Sequence, residues 1–265
     1  MARTPLSQIE RRNTAILEYM HSHSSVTVDE LAPYLNVSEI TVRRDLNYLL
    51  GAKMILRTGA GRYSLNEDPS FDADLFRRYS LHHAEKVSIA RAALDLIESN
   101  SVIGMDSSTT VLELGKILQQ QQNLTVVTNN LFLPAYHCQH PNLNIFFAGG
   151  SVYLAKNSSE GSDTCQAISA FHYDTVFLSA NALDFQNGLN NTDYRSIDDK
   201  LAYAENADRR VILLDSSKLG RKAGKFFLPL SRIDLVVTDS NITAEQRVSL
   251  ENAGIPILVA ECSPA

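Results

Sequence analysis

Short runs rich in Val, Ile, Leu and Phe alternate with helical stretches through most of this chain, from residue 102 to residue 259. Such alternation is typical of a largely parallel β-sheet that is wrapped by helices. We therefore predict an α/β fold for this part of the chain. The predicted strands are Val102–Met105, Leu124–Val127, Asn144–Phe147, Thr175–Leu178, Val211–Leu214, Leu235–Val237 and Ile257–Val259.

Polar residues and glycines gather directly after these strands. In an open α/β sheet, the carboxyl ends of the strands line the crevice in which ligands bind. Because the pattern recurs at several strand ends, it predicts a small-molecule pocket more strongly than any single motif does. The residues concerned are Asp106, Ser107, Ser108, Thr109, Thr110, Thr128, Asn129, Asn130, Gly149, Gly150, Asn181, Asp184, Asp215, Ser216, Ser217, Lys218, Thr238 and Asp239.

The first of these groups, Asp106–Thr110, precedes a helix that we predict from about Val111 to Leu118. Backbone N–H groups and hydroxyls at the start of a helix can surround an anion, and a phosphate suits that arrangement. Lys218 offers a cation to the same phosphate or to a sugar oxygen, and Asp106 offers an acceptor to sugar hydroxyls. Taken singly, these groups have plainer interpretations. Ser107–Thr110 would only cap a helix, Thr128–Asn130 would only turn the chain, and Lys218 would only be solvated.

A helix with two distinct faces is predicted near the N-terminus, from Ser38 to Leu50. Ser38 can cap this helix by accepting a hydrogen bond from a backbone N–H group, and Glu39 suits the positive end of the helix. The helical spacing of Val42, Leu46, Leu49 and Leu50 gives one apolar face, which leaves the other faces to polar residues. One side of the helix therefore packs, and the other can contact a partner.

The residues around this helix complete a winged helix-turn-helix pattern. The segment Thr27–Glu30 has the spacing of a capping box and opens a short helix that ends at Tyr34 or Leu35. Asn36 and Val37 make the turn between the two helices. Lys53–Arg57 and Arg62–Leu65 are extended segments on either side of a Thr-Gly-Ala-Gly turn, which predicts a β-hairpin, or wing. An earlier helix is predicted from the apolar spacing of Ile9, Ile16, Leu17 and Met20.

Three helices and a wing in this order predict binding to double-stranded DNA. Arginines would neutralise phosphates or reach guanine edges, while hydroxyl and amide side chains would contact phosphates or bases. The plain alternative is a three-helix domain with solvated arginines. The predicted DNA-binding residues are Thr27, Ser38, Thr41, Arg43, Arg44, Asn47, Arg57 and Arg62.

The length of 265 residues and the distribution of charge predict two domains. Residues 1–66 carry 8 Lys and Arg against 6 Asp and Glu, whereas the remainder carries 16 against 24. We predict a DNA-binding domain at 1–66, a linker with a connecting helix at 67–85, and a sensor domain at 86–265. An acidic body with a small basic domain gains DNA affinity by pairing that domain, so we expect a homo-oligomer.

The cysteines Cys138, Cys165 and Cys262 are scattered, with no paired spacing and no clustered histidines. This pattern predicts idle thiols, no metal site and no cofactor. No apolar run approaches the length that spans a membrane, and the first residues lack the apolar core of a signal peptide. We therefore expect a cytoplasmic protein that does not contact membranes.

The motifs together resemble the DeoR-type bacterial transcription regulators over nearly the whole chain. The resemblance rests on 37–46 in the helix-turn-helix and on five C-terminal segments: 106–110, 127–130, 149–150, 215–218 and 237–239. Within that family, Asp106–Thr109 and the linker are most similar to the fucose operon activator type. This chain has Ser108 where the phosphate loop of the family commonly has a glycine, and its wing lacks the histidine that the family often has there.

The resemblance implies a winged helix-turn-helix joined to a sensor domain similar to ribose-5-phosphate isomerase, with a phosphorylated sugar as effector. We therefore predict a non-enzymatic regulator of a carbohydrate operon. One alternative is an isomerase-like enzyme with a DNA-binding domain, in which Asp184, Asp215 and Lys218 would supply the acid–base groups. Another is an architectural DNA-binding protein with a vestigial pocket.

Overall fold

The computed structural model describes residues 12–13, 15–17, 19–20, 22–51, 54–59, 61–66, 78–79, 81–118, 123–137 and 143–261. Contacts divide the chain into two compact units, Met1–His83 and Ala84–Ala265, which we call the N-terminal unit and the C-terminal unit. Each unit has an apolar core of its own. The predicted domain limits at residues 66 and 86 stay predictions, and most of the linker at 67–85 lies outside the described residues.

The N-terminal unit is built from helices and a small antiparallel sheet. Residues 12–13, 15–17 and 19–20 are helical, and Ile9 lies outside the described residues. Two helices follow, Val28–Tyr34 and Glu39–Gly51. The sheet has the order β1-β3-β2, and its strands are β1 (Val26–Thr27), β2 (Ile55–Gly59) and β3 (Arg62–Leu65).

Local sequence explains these N-terminal elements. Thr27 and Glu30 form the predicted capping box, in which the Thr27 hydroxyl accepts from Glu30 N and the Glu30 carboxylate accepts from Thr27 N. The wing turns where Gly59 and Gly61 have φ of 96° and 75°, values that glycine adopts without strain. The short strand β1, which pairs with β3, was not predicted because two residues are too few to show a pattern.

The C-terminal unit is an α/β structure, as the alternation of strands and helices predicts. Its helices are His83–Leu94, Thr109–Lys116, Phe132–Tyr136, Ser162–Ser169, Arg195–Glu205 and Ala244–Asn252. Its strands are β4 (Val102–Met105), β5 (Leu124–Thr128), β6 (Leu143–Phe147), β7 (Ser151–Tyr153), β8 (Ser158–Glu160), β9 (Tyr173–Leu178), β10 (Ala182–Asp184), β11 (Gly188–Asn191), β12 (Ala207–Leu213), β13 (Lys225–Leu228), β14 (Leu235–Asp239) and β15 (Ile257–Ala260).

Seven of these strands form one parallel sheet in the order β15-β14-β12-β9-β4-β5-β6. All seven are strands that the apolar runs predict; the ends of β4 match the prediction, and the other ends differ by four residues at most. The helix predicted from about Val111 to Leu118 begins earlier, at Thr109, and ends at Lys116. A buried strand surrounded by helices has both faces covered, which explains the nearly continuous apolar runs.

Two smaller sheets were not predicted from the sequence. One has the antiparallel order β10-β11-β13, and the other is the hairpin β7–β8. Their strands have three or four residues and several polar side chains, such as Asn190 and Asn191, so the apolar signal is weak. Gly188, with φ of 113°, allows the close approach of β11 to β13, because a Cβ there would lie 2.1 Å from Leu228 O.

Candidate functional site

The order of the main sheet places one strand end at a topological switch point. From β4 the chain proceeds to β5 and β6 on one side, whereas β9, β12, β14 and β15 lie on the other side. Helices that leave neighbouring strands in opposite directions open a crevice at the carboxyl ends of those two strands. That crevice lies beyond β4 and β9, where Asp106 and Ser179 follow the strands.

The Asp106 carboxylate joins the ends of β4 and β9. Its Oδ1 accepts from Ser108 N at 2.9 Å and from the Ser108 hydroxyl. Its Oδ2 accepts from Ser179 N at 2.9 Å and pairs with the Lys200 ammonium, which also donates to Ser179 O at 2.9 Å. Both charged side chains are buried. With four donors on its two oxygens, Asp106 fixes the loop and has little capacity left for sugar hydroxyls.

The serine at the start of the Thr109–Lys116 helix does not cap that helix. Ser108 is the N-cap residue by backbone conformation, but its hydroxyl donates to Asp106 and accepts no bond from the first turn. This leaves the start of the helix, which carries a partial positive charge, without a side-chain cap. Nearby, the Thr110 hydroxyl is buried and has no hydrogen-bond partner among the described residues.

Residues after β5 bind to the loop after β4. The Thr128 hydroxyl donates to Met105 O at 2.8 Å, and Asn130 Nδ2 donates to Ser107 O at 3.4 Å. Asn130 Oδ1 accepts from Phe132 N at 2.9 Å, so Asn130 also starts the next helix. The structure therefore brings Asp106, Ser107, Ser108, Thr128 and Asn130 together, as the strand-end pattern predicts.

Asn129 faces a buried acidic cluster, Asp199 and Glu160, that was not predicted from the sequence. Its Nδ2 donates to Ser159 O at 3.0 Å and to Asp199 Oδ2 at 3.4 Å, while its Oδ1 is buried and has no partner in the described part of the chain. The Cys165 thiol donates to Asp199 Oδ1 at 3.1 Å. Glu160 accepts from the Ser158 hydroxyl at 3.0 Å.

Burial controls the protonation of this cluster. Burial raises the pKa of Asp199 to about 6; the Cys165 hydrogen bond opposes this rise and the charge of Glu160 adds to it. Burial likewise raises the pKa of Glu160. Burial and the hydrogen bond to Asp199 raise the pKa of Cys165 to about 12, so this thiol stays a protonated donor.

Asn replacement of Asp199 is expected to change the pH dependence of stability. The folded-state pKa of about 6 exceeds the ordinary value of 3.8, so the folded chain holds a proton that the unfolded chain loses between about pH 4 and pH 6. The free energy of unfolding therefore falls as pH rises through that window. Asp199→Asn should remove this loss and stabilise the protein at pH 7 by about 1–3 kcal/mol.

Urea unfolding at pH 4.5 and pH 7, followed by circular dichroism, tests this expectation. Glu98→Gln, which replaces an exposed acid outside the helices, is the control and should change the pH dependence far less than Asp199→Asn does. Equal pH dependence in the wild type and Asp199→Asn would contradict the assignment.

Gly150 has a packing role in the structure. Gly150 has φ of 138°, and a Cβ there would lie 2.1 Å from the Thr164 hydroxyl oxygen. Thr164 donates that hydroxyl to Gly149 O at 2.8 Å, whereas a Cβ at Gly149 would meet nothing within 4 Å. Gly150 therefore lets the Ser162–Ser169 helix begin close to the end of β6, and Gly149 contributes its carbonyl oxygen.

Three other predicted ligand residues have polar partners of their own in the structure. Asn181 Oδ1 accepts from the N–H and hydroxyl of Thr192, at 3.1 and 3.2 Å. Asp184 accepts from Gln186 N and Asn187 Nδ2. The Lys218 ammonium lies 3.2 Å from Asp215 Oδ2. The cation that the structure brings to Asp106 is Lys200, which was not identified from the sequence. The role of Lys218 toward a phosphate or a sugar oxygen stays a prediction.

The position of Lys200 explains why it was missed and how it could have been found. Ile197, Lys200 and Ala204 share the buried face of the Arg195–Glu205 helix. A lysine at that spacing among apolar residues is a charge that needs a buried partner, because lysines are rarely buried without one. Gly104 in β4 lets this helix approach the sheet, since a Cβ there would lie 2.7 Å from the Tyr203 ring.

The candidate DNA-contact surface lies on the Glu39–Gly51 helix. The Ser38 hydroxyl accepts from Thr41 N at 3.3 Å and is 3.0 Å from the Thr41 hydroxyl, as expected for a cap. Arg43, Arg44 and Asn47 are exposed. Arg43 lies 3.3 Å from the Glu39 carboxylate, whereas Arg44 has no partner among the described residues.

A buried ion pair holds this helix in place. Asp45 accepts two hydrogen bonds from the Arg12 guanidinium, at 2.7 and 3.2 Å. Asp45 is buried beside Leu46 and Leu49, so the pair connects the first helical segment to the core side of the Glu39–Gly51 helix. This pair was not predicted from the sequence, because its partners are 33 residues apart.

The wing arginines differ in their surroundings. Arg57 is exposed and has no partner in the part of the chain that the structure describes. Arg62 donates to the Ser25 hydroxyl at 2.9 Å and lies 3.7 Å from Glu30. Thr27 is occupied as the cap of the Val28–Tyr34 helix. Arg57 is therefore more available to a partner than Arg62.

The described ranges hold one free thiol and no metal-binding cluster. No group of three or more His, Cys, Asp or Glu side chains there could hold a metal ion. Cys165 is a free thiol, while Cys138 and Cys262 fall on residues that are not described. No helix in those ranges is long and apolar enough to cross a membrane.

The fold defines a two-part protein, with a winged helix-turn-helix unit and an α/β unit whose sheet has a ligand-type switch point. Residues 12–68 match the DeoR-like helix-turn-helix domain, and residues 81–240 match the DeoR C terminal sensor domain. The chain therefore belongs to the DeoR family of DNA-binding transcriptional regulators. The predicted family and fold class are confirmed.

Curated relatives cover nearly the whole chain. The HTH-type transcriptional regulator GolR of Listeria innocua is 30% identical over 252 residues, which span 95% of this chain and 98% of the relative. The glycerol-3-phosphate regulon repressor of Escherichia coli K12 is 30% identical over 89% of this chain and 92% of its own length. The closer likeness to the fucose operon activator type stays a prediction.

Among solved structures, ribose 5-phosphate isomerase A from Methanocaldococcus jannaschii is similar to part of this chain. The TM-score is 0.39 at 15% identity, over 52% of this chain and 54% of the isomerase.

Proposed function

We propose that this protein regulates a carbohydrate-metabolism operon and that a phosphorylated sugar controls its binding to operator DNA. The observation that carries the effector part is the buried Asp106–Lys200 pair at the switch point. It fixes the loop that precedes the Thr109–Lys116 helix, whose N-terminal N–H groups suit an anion. Two relatives are named for the glycerol-3-phosphate regulon and the aga operon, and these names support the effector class.

Within this site the residues divide into two roles. The phosphate would be surrounded by the backbone of the loop and by Ser107, Thr109 and Thr110. Asp106 and Lys200 would fix the conformation of that loop. Asn129 and the acidic cluster behind it would meet the sugar hydroxyls, because the buried Asn129 Oδ1 still needs a donor. Lys218 pairs with Asp215, and Asp184 is bonded to its own turn and lies 3.5 Å from Lys222, so we place both at the edge of the site.

The mechanism is a shift between two conformations of a homo-oligomer. A sugar phosphate that binds one conformation more tightly favours that conformation by its difference in affinity. Two Glu39–Gly51 helices must lie about 34 to 36 Å apart to enter adjacent major grooves, so a change in their spacing weakens DNA binding. Such coupling is reciprocal, since DNA must change sugar-phosphate affinity by the same factor.

The remaining proposals follow from this function. Operator DNA and phosphorylated sugars place the protein in the cytoplasm, without membrane contacts. It needs no metal or cofactor, and it is not an enzyme. The isomerase alternative requires a free carboxylate base near the substrate, but Asp184 accepts two hydrogen bonds and Asp215 pairs with Lys218.

Thermal unfolding with a panel of pentose and hexose phosphates tests the effector class. One or more phosphates should raise the melting temperature, as a ligand at 100 times its Kd adds about 2.7 kcal/mol. The corresponding free sugars and inorganic phosphate are the controls and should act weakly. If no phosphate shifts the melting temperature, the sensor function is rejected. If the wild type turns over one of these phosphates and Lys218→Ala abolishes that turnover, the isomerase alternative is supported.

A further inference from the structure

Ile40 is an apolar residue in an unusual place. Among the large apolar side chains that the structure describes, it is the most exposed, at 81%. It lies in the first turn of the Glu39–Gly51 helix, directly after Glu39. An exposed apolar side chain gains nothing from the core, and single cases are common on protein surfaces. The position of Ile40 on the helix indicates a role in contact with a partner.

Ile40 lies opposite the buried face of its helix. The buried face consists of Val42, Asp45, Leu46 and Leu49. Residues in a helix are about 100° apart around the axis, so Ile40, Arg44 and Asn47 share the centre of the other face within about 60°. Arg44 and Asn47 are both exposed. Ile40 is thus the apolar member of a surface whose other members can form hydrogen bonds with bases.

The N-terminal residues of the second helix in a helix-turn-helix contact base edges in the major groove. The thymine C5-methyl group is the apolar feature that the four base pairs present there. Arg44, one turn further along, can reach a guanine on a neighbouring base pair. An isoleucine beside it has no hydrogen-bonding atom in its side chain, so its favourable contact in the groove is with a methyl group.

We propose that Ile40 determines operator specificity by packing against the methyl group of a thymine. This inference rests on the proposed function, because it requires the Glu39–Gly51 helix to enter the major groove. It adds an apolar contact to the polar DNA-binding residues predicted from the sequence, which did not include Ile40.

Deoxyuridine substitution isolates this contact, because uracil has the hydrogen-bonding groups of thymine and lacks the methyl group. The probe is a duplex that the wild-type protein selects from a random pool, with each thymine replaced in turn. Replacement of one particular thymine in each half-site should weaken wild-type binding roughly three- to fivefold, which is the value for one buried methyl group. Ile40→Ala should bind the thymine duplex more weakly and be insensitive to that replacement.

Two further variants control this experiment. Leu154→Ala truncates another highly exposed apolar side chain, 78% exposed in the C-terminal unit, and should keep both wild-type affinity and the thymine preference. Arg44→Ala should bind more weakly while it keeps the preference for thymine over uracil. Because Ile40 is exposed, Ile40→Ala should unfold at the wild-type temperature.

The outcomes separate this inference from the proposed function. If the wild type selects no duplex, the proposed function fails and takes the inference with it. If the wild type binds a selected duplex but responds to no deoxyuridine, the Ile40 contact alone is rejected. If Ile40→Ala keeps the thymine preference, whether or not it weakens binding to both duplexes equally, the inference is also overturned.

Discussion

Lys200→Met is expected to destabilise the C-terminal unit by about 3–5 kcal/mol, because it leaves the Asp106 carboxylate buried without its cation. Lys200 also donates to Ser179 O, so the substitution removes a contact at the end of β9 as well. The loop at 106–108 should lose its fixed conformation, and binding of the sugar phosphate should weaken with it. Urea unfolding followed by circular dichroism measures the stability change.

A matched lysine tests whether burial causes this effect. Lys222 lies 3.5 Å from Asp184 but is 67% exposed, so Lys222→Met should change stability by less than about 0.5 kcal/mol. The double variant Lys200→Met with Asp106→Asn should lose less unfolding free energy than the two single variants lose together, since both charges are removed. Similar losses in Lys200→Met and Lys222→Met would contradict the assigned role of the buried pair.

Arg44→Ala is expected to weaken operator binding by roughly 5- to 100-fold, the range for loss of one bidentate base contact. Arg44 is at the centre of the exposed helix face and has no partner among the residues described, so its guanidinium is available to DNA. Arg43→Ala should have a smaller effect, because Arg43 pairs with Glu39 at the side of that face. Fluorescence anisotropy with labelled promoter DNA measures both affinities.

Arg91→Ala is the matched control for the arginine variants. Arg91 is exposed on the His83–Leu94 helix of the C-terminal unit, so its removal changes net charge by the same amount. It should leave operator affinity nearly unchanged. Equal weakening by Arg44→Ala and Arg91→Ala would mean that general charge, rather than the helix face, causes DNA binding.

The sequence predicted the parts of the fold that repeat a simple pattern. Each of the seven strands of the main sheet contains a short apolar run, and strands such as β4, β9 and β14 are buried along most of their length, which leaves them no polar side. The capping box at Thr27 and the turn glycines of the wing are local features, which the chain specifies within a few residues. The small sheet of β10, β11 and β13 lacks such a signal, because pairing between distant segments stabilises it.

The candidate site was predicted in part for the same reason. Strand ends can be read from the sequence, so the Asp106–Thr110 and Thr128–Asn130 groups were identified. Lys200 and Asp199 lie on a helix about 90 residues after Asp106, and tertiary packing, such as that of Tyr203 against Gly104, brings that helix to the site. Pairings of this kind depend on the tertiary fold, which local patterns do not reveal.

The most direct test is operator affinity with and without a sugar phosphate that the thermal screen has shown to bind. Saturation with this phosphate should change operator affinity by about 5- to 150-fold, and saturation with operator DNA should change phosphate affinity by the same factor. A phosphate that binds at the switch point and leaves operator affinity unchanged would disprove the proposed coupling between sensor and DNA.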